Sequence, residues 1–137
     1  MSGYLVDTNV LSERRRKRPD PGVLSWIDET DDALLHVSVI TLGEIKHGAE
    51  RLRLHDPAQA VHLDRWLDAL CLHYAARILP IDAIVALHWG KLGIRRPLSV
   101  ADGLIAATAL AHGLTVVTRN VTDFEPHGVP VLNPFRT

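Results

Sequence analysis

Short apolar runs alternate along the chain with longer stretches in which apolar residues recur every three or four positions. Tyr4-Leu5-Val6 is the first run and ends directly on Asp7. Leu34-Leu35-His36-Val37, Arg77-Ile78-Leu79 and Leu114-Thr115-Val116-Val117-Thr118 are further strand candidates, bounded by turn residues and, in the last case, β-branched throughout its centre. Val129-Pro130-Val131-Leu132 is a weaker one. Its proline has no N–H to give a neighbouring strand, which predicts a place at a sheet edge.

The stretches between these runs read as helices. Asp20-Pro21 is a capping residue followed by proline at the first helical position, and it opens a helix through Val23, Leu24, Trp26 and Ile27. Leu42, Ile45, Ala49 and Leu52 form an amphipathic stripe. Asp56-Pro57 restarts a helix in which Ala60, Leu63, Leu67 and Leu70 repeat that spacing, so the two predict a helical hairpin with leucine-rich seams. Asp82 caps a helix to about Leu92. Ser99 caps another, through Leu104, Ile105, Thr108 and Ala109, that ends near Gly113. Strands separated by helices predict βαβ units: a three-layer α/β/α fold whose parallel sheet is flanked by helices.

Composition narrows the classes. The chain has 137 residues, which fits a single domain over 1–137, and its 47% apolar and 23% charged residues are a globular balance. The net charge of −1 provides no global field for nucleic acid, so any such contact must be local. One cysteine, Cys71, excludes an internal disulfide and a cysteine-based zinc site, and fits a reducing cytoplasm. Met-Ser-Gly-Tyr-Leu-Val-Asp lacks the basic-then-apolar order of a secretory signal. No run of about 18 apolar residues is present to span a membrane.

In parallel sheets, ligands sit at the carboxyl ends of the strands. Asp7 follows the first strand. Ser38 and the helix carrying Glu44 follow the second. Thr118, Arg119, Asn120 and Asp123 follow the strand that begins at Leu114. Asp102 lies in the first turn of the preceding helix. Hard divalent cations favour such carboxylate oxygens, and acids gathered without a cation resist joint ionisation. Each acid also has a purely structural reading. Thr41-Leu42-Gly43-Glu44 and Ser99-Val100-Ala101-Asp102 both match capping boxes, Asp7-Thr8-Asn9 an Asx-type turn, and Asp123 a cap on a terminal turn. Spacing alone does not bring the four together.

The motifs around them are recognisable as a set. Asp7-Thr8-Asn9-Val10-Leu11-Ser12-Glu13, the stretch Ser38 to Gly48 around Glu44, Pro97 to Ala109 around Asp102, and Leu114 to Phe124 around Asp123 occur in order, with Val131-Leu132-Asn133-Pro134-Phe135 closing the chain. This set resembles PIN domains, and among them the VapC-type toxins of type II toxin–antitoxin systems, in particular the FitB-like branch. The resemblance implies a PIN-like fold in which Asp7, Glu44, Asp102 and Asp123 converge around Mg²⁺, with Mn²⁺ able to substitute. It implies an endoribonuclease in which metal-activated water attacks phosphorus and the 3′ oxygen departs. It also implies a homodimer, a small DNA-binding, VapB-like antitoxin as partner, and a larger assembly with that antitoxin bound. Gly43 and Gly103 stand where alanine is frequent, and Asn120 stands where an additional acid can occur, which leaves one or two metals open.

Asn9, Thr118 and Asn120 are polar neighbours suited to orienting the acids from behind. Arg14-Arg15-Arg16-Lys17-Arg18 reads either as a solvated helix end or as a set of phosphate contacts for RNA, maskable by an antitoxin. Glu13 is expected at the surface or paired with these arginines, and Arg95-Arg96 is expected to be solvated. The eight histidines show no metal-ligand spacing. Trp26, Trp66 and Trp89 read as core or interface anchors.

Two other function classes fit part of the pattern. A haloacid-dehalogenase-like phosphatase also places an aspartate after its first strand, but needs a second two residues on, where this chain has Asn9. A PIN-like module that binds without catalysis is the non-enzymatic alternative, and metal titration separates it from an enzyme.

Overall fold

The computed structural model describes residues 3–136. Met1 and Ser2, which open the segment expected to carry no signal, and Thr137 lie outside the described residues. In chain order the elements are β1 (Tyr4–Val6), α1 (Thr8–Leu11), α2 (Pro21–Glu29), β2 (Leu35–Ser38), α3 (Val39–Arg53), α4 (Pro57–Tyr74), β3 (Ile78–Leu79), α5 (Ala83–Gly90), α6 (Val100–His112), β4 (Thr115–Val117), α7 (Val121–Phe124) and β5 (Val131–Leu132). Short 3-10 turns at Ser12–Arg15, Asp32–Leu34, Ala75–Arg77 and Glu125–His127 join them.

The strands form one sheet in the order β3-β2-β1-β4-β5, every neighbouring pair parallel. The chain builds outward from β1 through β2 to β3, then returns to lay β4 on the other side of β1. Strand order therefore reverses between β1 and β4, and the crevice at their carboxyl ends is where such sheets bind ligands. β5 is an edge strand, as its proline predicts. Pro130 contributes only its carbonyl, which accepts from Val116 N at 2.9 Å.

Alternation along the central strands splits the core in two. Leu5 pairs with Val116 and Val6 with Val117, and successive residues face opposite sides of the sheet. Leu5 and Val116 are buried with Ile105, Ala106 and Ala109 of α6 and Phe124 of α7. Val6, Val37 and Val117 are buried on the other side with Val10, Leu11, Val23 and Tyr74, from α1, α2 and α4. Helices cover both faces, which is the expected three-layer α/β/α arrangement. The α3–α4 hairpin forms as predicted, with Ile45, Ala49 and Ala60 buried in its seam.

Four of the expected caps hold, whereas Asp123 lies inside the first turn of α7 and does not cap it. Asp20 accepts from Gly22 N and Val23 N, Asp56 from Gln59 N, Asp82 from Val85 N and Ser99 from Asp102 N. The Thr41–Glu44 capping box is not formed. β2 runs into α3 without a loop, so Ser38 is the cap and accepts from Ile40 N at 3.0 Å, while Thr41 is buried inside the helix. α5 also ends two residues earlier than Leu92. Among the described residues, no helix is long and apolar enough to cross a membrane.

Candidate active site

Asp7 stands one residue beyond β1. Its backbone is extended and its N–H donates to Val117 O at 2.9 Å, so it continues the β1–β4 ladder. Alternation then carries its side chain to the Leu5 face, where α6 packs. Thr118 continues β4 in the same way, its N–H donating to Leu132 O at 3.0 Å. The two side chains meet: Thr118 Oγ1 donates to Asp7 Oδ2 at 2.8 Å. Thr8 N donates to Asp7 Oδ1 at 2.9 Å, so the carboxylate also caps α1, a helix the sequence pattern did not predict.

Asn9 ties this pair to the following loop. Its Nδ2 faces Asp7 Oδ2 at 3.4 Å and Thr118 Oγ1 at 3.2 Å, and its Oδ1 accepts from Arg119 N at 3.1 Å. Asn120 N donates to Thr118 Oγ1 at 3.0 Å. Thr118 is thus held by two donors and has a single proton to give, which goes to Asp7. Asn9 and Thr118 both hydrogen-bond Asp7. Asn120 takes part through its backbone, and its side chain makes no cap on α7. Thr8 Oγ1, beside Asp7, is buried without a hydrogen-bond partner among the described residues.

Electrostatics place the other acids around Asp7. Burial pushes the Asp7 carboxyl above the usual carboxylate range; the bonds from Thr118 and Thr8 work against that rise, and Asp102 and Asp123 add to it. Asp102, half-buried on α6, is raised by burial and by Asp123, against a hydrogen bond with Ser99. Glu44, on α3, is raised first by desolvation and then by Asp7 and Asp102. Glu44 retains an exposed side chain by area, so its desolvation comes from the crowded side facing α6 rather than from enclosure. Asp123 is exposed on α7 and is felt through its repulsion of Asp7 and Asp102. The four acids thus sense one another at one end of the sheet. Among the described residues, no three Asp, Glu, His or Cys side chains stand close enough to hold an ion as they are.

The basic run is dispersed by the 3-10 turn on which it begins. Arg14 pairs with Asp28 at 2.6 Å, and Arg15 lies over the Trp66 ring at 4.7 Å. Arg16 faces Glu13 Oε1 at 3.6 Å. Lys17 and Arg18 are exposed with no carboxylate partner among the described residues. Glu13 is not at the surface: it is 4% exposed and accepts from Asp20 N at 2.8 Å, because α1 and the turn after it fold its side chain under the start of α2. Its pairing with an arginine holds. Arg95 and Arg96 are exposed. The pattern of apolar residues gave no sign of Arg119, whose guanidinium lies over the Phe135 ring at 4.6 Å. Its place directly after a strand end was the available signal.

Comparison with known proteins agrees with this geometry. The PIN domain profile matches residues 4–125. VapC ribonuclease Y4jK of Sinorhizobium fredii is 34% identical over 139 residues, covering 96% of each chain. Toxin FitB of Neisseria gonorrhoeae is 35% identical over 136 residues, covering 96% of this chain and 97% of FitB. A solved structure of FitAB bound to an IR36 DNA fragment superposes with a TM-score of 0.86 at 32% identity, over 98% of this chain and 96% of that one. Strand order, motif order and these matches together make the chain a member of the PIN-domain family, among the VapC- and FitB-type proteins.

Proposed function

We propose that the chain is the toxin of a type II toxin–antitoxin pair and a metal-dependent endoribonuclease, with Asp7, Glu44, Asp102 and Asp123 as its catalytic acids. One observation carries the assignment: a buried carboxylate, Asp7, sits at the switch point of the sheet, its ionisation opposed by Asp102 of α6 and Asp123 of α7, and itself opposes that of Glu44 on α3. Folding has no use for such repulsion, and a bound cation relieves it. VapC-type PIN nucleases are in general dependent on divalent metal.

The donor set fits Mg²⁺, or Mn²⁺ in its place. It consists of carboxylate oxygens, with no histidine or cysteine among them, which is the chemistry hard cations select. Asp7 and Asp102 would be the principal ligands, with Glu44 and Asp123 completing the set. Bound there, a divalent cation supplies the charge that makes water nucleophilic at neutral pH and offsets the charge developing on a phosphodiester. The chain's own residues do the rest. Thr118 fixes the orientation of Asp7 Oδ2, and Thr8 N that of Oδ1. Glu44, poised by its raised pKa and exposed on one side, can accept a proton from water during the cut. The burial of Asp7 keeps bulk water from competing for its oxygens.

The partner reading follows the same relatives. Y4jK is named a ribonuclease, FitB a toxin, and FitAB is solved on DNA. A small DNA-binding antitoxin, a homodimer and a larger complex with the antitoxin are the corresponding expectations here. The assignment is tested by Asp7→Asn. RNA cleavage supported by Mg²⁺ or Mn²⁺ is expected to disappear while the thermal transition and circular dichroism remain those of a folded protein. Cleavage by Asp7→Asn at the wild-type rate would overturn it.

A further inference from the structure

Around the sheet edge from the acids lies a second feature. Arg16, Arg18 and Arg119 line a hollow of about 480 Å³ together with Glu13, Pro19, Asp20, Pro21 and Phe135. The arginines come from the two ends of the chain and meet because β1 and β4 are neighbours. Alternation explains the position: Thr118 faces the α6 side with Asp7, so Arg119, the next residue, turns toward α2.

Three guanidinium groups face two carboxylates, which leaves the hollow net positive. Glu13 and Asp20 are 4% and 6% exposed and are directed at backbone donors. Glu13 accepts from Asp20 N at 2.8 Å, and Asp20 from Gly22 N at 2.8 Å and Arg136 N at 3.1 Å. Glu13 shares its charge with Arg16 at 3.6 Å, beyond a good hydrogen bond. Arg18 and Arg119 have no carboxylate partner among the described residues, and stacking on Phe135 holds the Arg119 guanidinium in place without consuming its charge.

We infer that Arg18 and Arg119, with Arg16 beside them, bind the phosphodiester backbone of the RNA strand next to the phosphate presented to the carboxylates. The inference rests on the ribonuclease reading and says where the strand runs. Two hydrogen bonds link the hollow to the acids: Arg119 N to Asn9 Oδ1 at 3.1 Å, and Asn9 Nδ2 to Asp7 Oδ2 at 3.4 Å. A polyanion with one phosphate at Asp7 can place an adjacent phosphate here, beyond the carboxyl ends of β1 and β4. Four acids repel that polyanion, and the chain's net charge of −1 does nothing to draw it in, so fixed cations beside the acids are what the approach requires. Planar guanidinium groups suit phosphate oxygens in pairs. The basic run therefore does not act as a unit, because Arg14 and Arg15 are occupied elsewhere.

The test is binding of a short, mixed-sequence single-stranded RNA by the Asp7→Asn protein, followed by fluorescence anisotropy over a range of salt. Arg18→Gln and Arg119→Gln are added singly and together, with Arg14→Gln as comparison. Each of the first two is expected to weaken binding across sequences and to lower the slope of log K against log salt by about 0.7, the pair by about 1.4. Arg119→Lys is expected to retain most of the slope, and Arg14→Gln all of it. Since Arg18 has no carboxylate partner among the described residues, its variant reports binding even if Arg119→Gln unfolds. Unchanged affinity and slope in Arg18→Gln and the double variant, in a protein that binds and cuts RNA when Asp7 is present, would overturn the inference and leave the ribonuclease reading standing. Loss of antitoxin binding with RNA binding intact would also overturn it, in favour of an acidic protein segment. Wild-type protein that neither binds nor cuts RNA would remove both readings.

Discussion

Thr118 Oγ1 donates to Asp7 Oδ2 at 2.8 Å, joining residues 111 positions apart across the two central strands. With the bond from Thr8 N, it favours the ionised carboxylate, against the larger effect of burial and against two neighbouring acids. Thr118→Val removes the donor, leaves Asn120 N without its acceptor and leaves Asn9 Nδ2 only the 3.4 Å bond to Asp7 Oδ2. A loss of about 1–3 kcal/mol is expected in urea denaturation. The acid limb of the cleavage profile is expected to move to higher pH, since Asp7 loses a bond that lowers its pKa. Thr118→Ser keeps the hydroxyl and is expected to restore both.

The site acids destabilise the metal-free fold at neutral pH. Asp7, Glu44 and Asp102 have folded-state pKa values raised above 3.8, 4.5 and 3.8. The folded state therefore binds protons more tightly than the unfolded state. Stability is highest below those ordinary values and falls as pH rises through the raised ones. Glu44→Gln removes one repelling charge and breaks no hydrogen bond or ion pair seen among the described residues, so it is expected to raise the melting temperature at pH 7 in the presence of a chelator. The gain should shrink as pH falls toward 4.5. Scanning calorimetry across that range checks both signs.

Metal should reverse that penalty. Mn²⁺ at about a hundred times its dissociation constant is expected to stabilise the wild type by about 2.7 kcal/mol, and EDTA to abolish the gain. Asp7→Asn is expected to lose most of the shift. Thermal unfolding at matched ionic strength, with Na⁺ in the control, separates specific binding from screening.

Two glycines differ in what a methyl group would meet. At Gly22 a Cβ would lie 2.4 Å from Pro134 O and 2.5 Å from Arg136 Cγ, so the C-terminal segment must move off the start of α2. Gly22→Ala is expected to lose about 1–3 kcal/mol in denaturant unfolding. At Gly103 the obstacle is the Trp89 side chain at 2.9 Å, and Trp89 is 40% exposed and can shift. Gly103→Ala is expected to change stability far less, with the gain in helix propensity offsetting part of the displacement.

Local signals were reliable where the physics is local. Apolar periodicity located the helices and strands, and Asp20, Asp56, Asp82 and Ser99 cap where their positions predict. The Thr41 box failed because a cap depends on where the preceding strand ends, and β2 ends on Ser38. Of the two readings of Glu13, the pairing with an arginine holds and the surface position does not, for a similar reason. Its burial under α2 depends on α1, a helix of four residues too short for any periodicity to reveal.

The sequence by itself determined the elements, the alternation that buries both faces of the sheet, and the motifs that identify the family. Those depend on neighbours within a few residues along the chain. The tertiary structure decided which of the acids and bases meet. Asp7 touches Thr118, and senses Asp102 and Asp123, because β4 returns to the side of β1 and α6 lies over that face. The same return brings Arg119 to Arg16 and Arg18 while α2 and α4 take up Arg14 and Arg15. Charges act through space, and strand order, which no short stretch of sequence encodes, sets the distances over which they act.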